Sequence, residues 1–283
     1  LYRGQQVVVA GDTKQLRPND LYMARWEEDD EDNEPAPELE AESLLELSGQ
    51  YLDEVLLLGH YRSHAYELID FSNRYFYNNK LKTLPSKSSA NNSEAAIHFI
   101  KTDGVWQNNA NPEEAQKVVE LLTKLGKKSP GKSVGVITFN IGQQEKVLEA
   151  LELLYSSGEP LPKGLFVKNI ENVQGDERDI IVFSTGYARN TKGKLVLKFG
   201  SLNMAGGENR LNVAISRARE EIYVVTSIEP DEMQVKHTKN EGPVLLKEYL
   251  SYAKGIAEKR IQPEKPVPAR HHAGWFLSNK LSK

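Results

Sequence analysis

Glu208-Asn209-Arg210-Leu211-Asn212-Val213-Ala214-Ile215-Ser216-Arg217-Ala218-Arg219, followed closely by Ile222-Tyr223-Val224-Val225, is the stretch on which the fold turns. At 100° per residue, Leu211, Ala214, Ile215 and Ala218 share one stripe, so the first part predicts an amphipathic helix. The second part is short, β-branched and apolar, which predicts a buried strand. Arg210 and Arg217, seven residues apart, project from nearly one line beside the apolar stripe, while Arg219 and Asn212 point elsewhere. Two aligned guanidiniums on a packed helix suit a polyanion, such as a triphosphate at a domain interface. The plainer alternative is a solvated helix.

The alternation of strand and helix continues in both directions. Short buried strands are expected at 6–10, 54–58, 96–100, 134–139, 165–167, 180–184 and 222–226. Helices are expected at 44–47, at 64–77 with Leu68, Ile69, Ser72, Tyr75 and Phe76 on one face, from Pro112, at 143–154 and at 244–253. Residues 78–95 read as a polar loop. Apolar strands of four to six residues between amphipathic helices predict an α/β layered fold with a largely parallel sheet. Ligands are then expected at the carboxyl ends of the strands.

The chain has 283 residues, 39% hydrophobic and 27% charged, the composition of an ordinary globular protein. No apolar run is long enough to span a bilayer. There is no cysteine, which excludes disulfides and thiolate-bound metals and fits a reducing cytoplasm. Residues 27–42 hold ten carboxylates and no Lys or Arg; setting them aside turns the net charge of −4 into +6. The remainder is thus mildly basic, which permits nucleic-acid binding. The acidic block, with Pro35 and Pro37, reads as a solvated insert.

Two patterns mislead. Gly126-Lys127-Lys128-Ser129-Pro130-Gly131-Lys132-Ser133 matches the phosphate-loop spacing, but that loop works between a strand and a following helix. Here a helix precedes and a strand follows. His60 and His64 have the spacing of a zinc pair without the general-base Glu or the helix, so no metal site is expected. His271-His272 lies in a polar tail and reads as exposed.

Four further segments carry chemistry. Gly11-Asp12-Thr13-Lys14-Gln15-Leu16-Arg17-Pro18 follows an expected strand, as do Gly59-His60-Tyr61-Arg62-Ser63-His64 and Thr138-Phe139-Asn140-Ile141-Gly142-Gln143. Val173-Gln174-Gly175-Asp176-Glu177-Arg178-Asp179 precedes one. With the arginine segment, and in this order over residues 7–227, they resemble motifs III, IV, V and VI of the superfamily 1 helicases. The 1B subgroup, which includes the RNA helicase of nonsense-mediated decay and the nuclease-helicase that trims Okazaki fragments, is the nearest in pattern.

That resemblance implies a RecA-like domain of the P-loop NTPase type, paired in the parent with a second one. ATP with Mg would bind in the cleft between them, and single-stranded DNA or RNA would cross both. It implies that Gln15 senses the γ-phosphate and that Arg62 and Arg217 reach it as arginine fingers. Arg210 would support the loop or a phosphate, and Glu177, after Gly175, would meet the ribose hydroxyls or the water near the nucleotide. Thr138, Asn140 and Gln143 would face nucleic-acid phosphates, a contact that reads no sequence. Phosphoryl transfer needs charge stabilisation, which a planar guanidinium supplies to two oxygens at once. A carboxylate repels phosphate, so Glu177 belongs at the sugar or at an arginine. Humbler roles stay open: a salt bridge to Arg178 for Glu177, a loop cap for Gln15, a bridge to the acidic insert for Arg62, and helix capping for Thr138, Asn140 and Gln143. Tyr61 and Trp106 could stack bases or simply be buried.

A true phosphate loop and an Asp-Glu pair are missing, and both are expected upstream of Leu1. Residues 1–20 are therefore expected to end a first RecA-like domain and 21–50 to form the acidic insert or linker. Residues 51–230 form the second RecA-like domain, and 231–283 a terminal helix and tail. The expected function is the C-terminal motor half of an ATP-dependent, cytoplasmic, 5′→3′ helicase or translocase, inactive as an ATPase alone. The rival is a helicase-like module without motor activity that binds single strands or a protein partner.

Overall fold

The computed structural model describes residues 6–16, 43–83, 95–155 and 158–263. The acidic stretch 27–42, Arg17-Pro18 and the tail with His271-His272 lie outside the described residues.

Two of the helices start on a side-chain cap, at Ser43 and Asn111. In α1 (Leu44–Tyr51) the Ser43 hydroxyl accepts from Glu46 N at 3.1 Å. After the two-residue β1 (Gly59–His60) comes α2 (Glu67–Phe76), then β2 (Lys82–Thr83), which pairs parallel with β1. Strands β3 (Ile97–Lys101) and β4 (Val105–Trp106) lead to α3 (Pro112–Lys128). Pro112 occupies a position whose N–H would be unpaired anyway, and Asn111 caps the helix by accepting from Glu114 N. Lys127 and Lys128 sit in its last turn, against the negative end of the dipole.

Strand β5 (Ser133–Thr138), α4 (Ile141–Tyr155), β6 (Lys163–Asn169) and β7 (Arg178–Ser184) follow. Two short strands, β8 (Ala188–Asn190) and β9 (Leu195–Val196), form a hairpin whose first strand also pairs with β4. Then come α5 (Gly207–Ile215), β10 (Ala218–Thr226) and α6 (Gly242–Ala257). Gly207 opens α5 where no side chain fits: a Cβ there would stand 2.2 Å from Leu202 O.

The central sheet runs β3-β10-β7-β5-β6 with every pairing parallel. Alternate residues of one strand feed two cores. Ile181 and Phe183 of β7 join a core with α2, α5 and α6; Ile180 and Val182 join a second with α3 and α4. A strand that buries both faces must be apolar throughout, which is why these strands read as continuous runs. This is the α/β layered, RecA-like arrangement expected from the sequence. Helix α6 contributes Leu246, Tyr249, Leu250 and Ile256 to the first of these cores.

Four expectations need correction. Residues 6–10 and 54–58 form no strand among the described residues, although Leu58 O accepts from Lys82 N at 2.7 Å, and they are not buried: Val8 is 81% exposed, Val55 81% and Leu57 82%. Their apolar pattern fits a strand, yet the central sheet has no place for them. The arginine helix stops at Ile215, where Ser216 turns the chain at φ −92°, ψ 9°. Arg217 therefore hangs in the turn between α5 and β10, off the helical line of Arg210. Tyr75, placed on the buried face of α2, is 47% exposed and stacks on Phe71. Finally, the guanidiniums gather at the amino ends of β7 and β10, not at the carboxyl ends.

Candidate functional site

Glu177 is the last residue before β7 and Ala218 the first of β10, and the parallel register opposes Ala218 to Arg178. That register brings two distant segments together at the amino edge of the sheet. Glu177 Oε2 accepts from Arg62 Nε at 2.8 Å, and its Oε1 accepts from Arg219 Nη2. The hydrogen bonds from Arg219 and then Arg62 hold the Glu177 carboxyl below its ordinary range. Gly175, two residues earlier, turns the chain at φ +84°, a conformation that favours glycine.

Arg217 lies beneath, 3% exposed. Its Nε donates to Val213 O at 2.8 Å, one of the carbonyls that the end of α5 leaves unpaired. Nη2 donates to Ser216 Oγ at 3.1 Å and Nη1 to Asp176 O at 3.4 Å. Burial, and then the neighbouring Arg62 charge, pull the Arg217 guanidinium down to about 10. Arg62 and Arg217 thus converge. The His60–Ser63 turn presents Arg62: Ser63 N donates to His60 Nε2 at 3.1 Å, and burial and the Arg62 charge lower that imidazole to about 4.

The loop 12–16 docks against the same helix. Asn212 Nδ2 donates to Lys14 O at 2.7 Å and to Tyr77 OH at 3.1 Å, and Asn209 Nδ2 to Thr13 O at 3.3 Å. Gln15 Nε2 donates to Asp12 Oδ2 at 2.8 Å, as does Tyr77 OH. Gln15 is therefore tied into its own loop. Burial raises the Tyr77 hydroxyl, and the loop stands on α5, the helix whose Val213 carbonyl holds Arg217. Arg210 is half-buried on α5 and takes no part in these bonds.

A second polar cluster lies at the other edge, where β5, β7 and β10 end. Glu114, fully buried, accepts through Oε1 from Ser184 Oγ and Gly186 N, both at 2.8 Å. Burial pushes its carboxyl up to about 8 against the donors around it. Gln143, also fully buried, accepts from Asn111 N at 2.7 Å and donates to Ser184 Oγ at 2.9 Å. Thr138 is buried and donates to Asn140 O at 3.1 Å, and Asn140 Oδ1 caps α4 through Gln143 N at 2.8 Å. The expectation that Thr138 and Gln143 turn their side chains to phosphate is thus corrected: both side chains face inward and shape the loop. Tyr61 is 77% exposed, whereas Trp106 is buried with Lys198 Nζ 5.9 Å from its ring.

Sequence reasoning set Arg219 aside and missed Glu114. Both depend on strand register: Arg219 meets Glu177, and Glu114 meets Ser184, across pairings that spacing along the chain does not reveal. The loop 126–133 does run from α3 into β5, and its Lys127 pairs with Glu159 at 2.6 Å.

Comparison with known proteins places the chain. A model of the AAA domain family matches residues 41–229. A protein of Mycoplasma pneumoniae named as an uncharacterized ATP-dependent helicase is 39% identical over 278 residues, which is 92% of this chain and 24% of that protein. Its counterpart in Mycoplasma genitalium is 37% identical, with the same coverage. A Methanocaldococcus jannaschii protein named as an uncharacterized ATP-dependent helicase is 24% identical, over 36% of its length. The chain therefore spans about a quarter of the length of the Mycoplasma relatives. Among solved structures, the C-terminal domain of a possible DNA helicase from a Lactobacillus aligns with a TM-score of 0.36 at 16% identity, over 59% of this chain and 88% of that one. The family match over residues 41–229 and the helicase-motif order together place this chain in the AAA domain family, as a C-terminal domain of the superfamily 1 helicase type.

Proposed function

We propose that this chain is the C-terminal motor half of an ATP-dependent nucleic-acid helicase or translocase. The observation that carries the reading is the convergence of Arg62 and buried Arg217 at one sheet edge, with the 12–16 loop docked beside them. Arg62 and Arg217 act as arginine fingers on the γ-phosphate of ATP, Gln15 senses that phosphate and Glu177 stands by. Gly175 shapes the turn that presents Glu177, and Arg210 supports the site from α5. The cluster fits the charge of a triphosphate: Arg62 and Arg219 share the Glu177 carboxylate, and a third guanidinium, Arg217, is held beside them by carbonyls and a hydroxyl. A preceding RecA-like domain supplies the phosphate loop and Mg ligands. The exposed apolar residues at 7–8 and 55–57 suit burial against such a neighbour. In this reading residues 1–20 end that domain, 21–50 link it, 51–230 form the second motor domain and 231–283 close the chain. The loop of Thr138, Asn140 and Gln143 at the opposite edge meets single-stranded DNA or RNA. Its contacts come from backbone N–H groups and Asn140, while the two buried side chains hold it in shape. No described helix is long and apolar enough to cross a membrane, and the motor works in the cytoplasm.

The test is steady-state ATP hydrolysis by a chain extended to the length of the Mycoplasma relatives, with and without single-stranded DNA or RNA. Arg217→Ala and Arg62→Ala each lower strand-stimulated turnover by about 10³-fold or more. The present chain alone shows no turnover above background. Unchanged turnover in both variants, or Arg217-dependent turnover by this chain alone, refutes the reading.

A further inference from the structure

The three guanidiniums around Glu177 are not equally held. Arg217 is buried and bonded to two carbonyls and a hydroxyl, so it cannot move without breaking the end of α5. Arg219 is gripped on both sides, by Glu177 and by Asp179, whose Oδ1 is 3.6 Å from Nη1. Asp179 is anchored in turn, accepting from Ser133 N and Ser133 Oγ at 2.8 Å each. Arg62 stands on the loop between β1 and α2, 28% exposed, and its bond to Glu177 runs through Nε. The two terminal nitrogens, with four N–H groups, lie outside that bond. Arg62 and Arg217 meet at the same turn, Arg62 on the Glu177 carboxylate and Arg217 on the adjoining Asp176 carbonyl, so that carboxylate offsets the repulsion between the two guanidiniums.

We propose that Glu177 is a resting berth for Arg62, from which the γ-phosphate draws it, and that Arg219 is the positioning residue that keeps the berth fixed. This rests on the nucleotide reading above and adds a gate to it. When Arg62 leaves, Glu177 retains Arg219, so the exchange strands no bare carboxylate. Without Arg219, Glu177 has Arg62 as its remaining cation and competes harder with phosphate. Without the Glu177 charge, Arg62 and Arg217 face each other uncompensated and bind a γ-phosphate more readily. The berth thus sets how strongly the site prefers a triphosphate to a diphosphate.

The experiment measures equilibrium affinities of ATPγS and ADP for the chain extended to the length of its Mycoplasma relatives. A partly exposed ion pair shifts an equilibrium by up to about fivefold. Glu177→Gln tightens ATPγS by about that factor and leaves ADP unchanged. Arg219→Gln weakens ATPγS by a similar factor, and Arg219→Lys restores most of it by keeping the charge. The double variant behaves like Glu177→Gln alone, because Arg219 acts through Glu177. Equal weakening of ATPγS and ADP in Glu177→Gln means that the carboxylate touches the nucleoside, and the gate is refuted. Additive effects in the double variant refute the positioning role of Arg219. Either failure leaves the arginine-finger reading standing, since that reading depends on turnover in Arg62→Ala and Arg217→Ala.

Discussion

Val55 and Leu57 stand 81% and 82% exposed in an apolar run whose pattern is that of a buried strand. Replacing both with Lys removes no burial from this chain, so its stability should change by no more than about 0.5 kcal/mol. The expectation reverses if a preceding domain takes up the run. Burying a Val or Leu side chain contributes about 1.5–3 kcal/mol, so losing both costs about 3–6 kcal/mol. That is a large part of a typical total of about 5–15 kcal/mol. Urea unfolding, with the midpoint converted through the m-value, reads both cases. One titration uses this chain and a second a chain extended to the length of the Mycoplasma relatives. Leu122→Ala is the internal standard, since Leu122 is fully buried and its truncation costs about 2–5 kcal/mol in either background. A loss above about 2 kcal/mol from the lysine pair in this chain would show that the run is already packed. Equal tolerance in the extended chain would show that no domain covers it.

Three further outcomes follow from the geometry. Glu114 and His60 act in opposite directions on acid and alkaline stability. The Glu114 carboxyl rises from 4.5 to about 8 on folding, so its contribution is fully present below pH 4.5 and is lost as pH rises through 8. Glu114→Gln therefore flattens the decline across that window in pH-dependent urea midpoints, and a parallel-shifted curve would refute the assignment. The His60 imidazole falls from 6.5 to about 4, so its contribution is present above pH 6.5 and is lost as pH falls through 4. His60→Gln removes up to about 3 kcal/mol of that acid loss, and an unchanged acid limb would count against it. Gly207→Ala puts a Cβ 2.2 Å from the Leu202 carbonyl oxygen and should cost about 1–3 kcal/mol by thermal unfolding. A neutral result would mean that the entry to α5 yields at no cost.

Elements buried on both faces were legible in the sequence because burial writes itself as an unbroken apolar run. Strands β5, β7 and β10 appear in the expected places for that reason, and Pro112 marked the start of α3. The same rule misplaced 6–10 and 54–58, because an apolar run carries no mark of which surface, if any in this chain, it packs against. The arginine segment was read as one helix because its apolar stripe continues through Ala218. In the structure Leu211, Ala214 and Ile215 are buried from a helix, and Ala218 is buried from a strand. The stripe thus held across a change of element and hid the turn that carries Arg217. Side chains that meet through sheet register, Arg219 with Glu177 and Glu114 with Ser184, leave no mark in local spacing. The polar loops were found by their residue types, but which side chains faced inward was decided by hydrogen bonds, of Gln143 with Asn111 and Ser184 and of Thr138 with Asn140 O.

The two clusters lie at opposite ends of the same strands. Glu177 precedes β7 and Ser184 ends it; Arg219 is the second residue of β10 and Thr226 ends it. At about 3.3 Å per residue, seven residues of β7 separate the clusters by roughly 23 Å. No chain of polar contacts needs to cross that distance. β5 and β7 are hydrogen-bonded in continuous parallel register, β10 joins β7 in parallel from Glu221 onward after a register shift between Ala218 and Glu221, and both faces are packed, so the three strands move together. A polyanion that draws Arg62 and Arg217 toward a neighbouring domain would pull on the amino edge. The carboxyl edge, with Glu114, Gln143 and the Asn140 loop, would swing with it as the far end of a lever. Buried polar bonds at that edge keep the loop from deforming under load, because each broken bond would leave a donor or acceptor unpaired in the interior. In the proposed motor, Glu114 and Gln143 act without touching either ligand: they make the far end of the lever stiff.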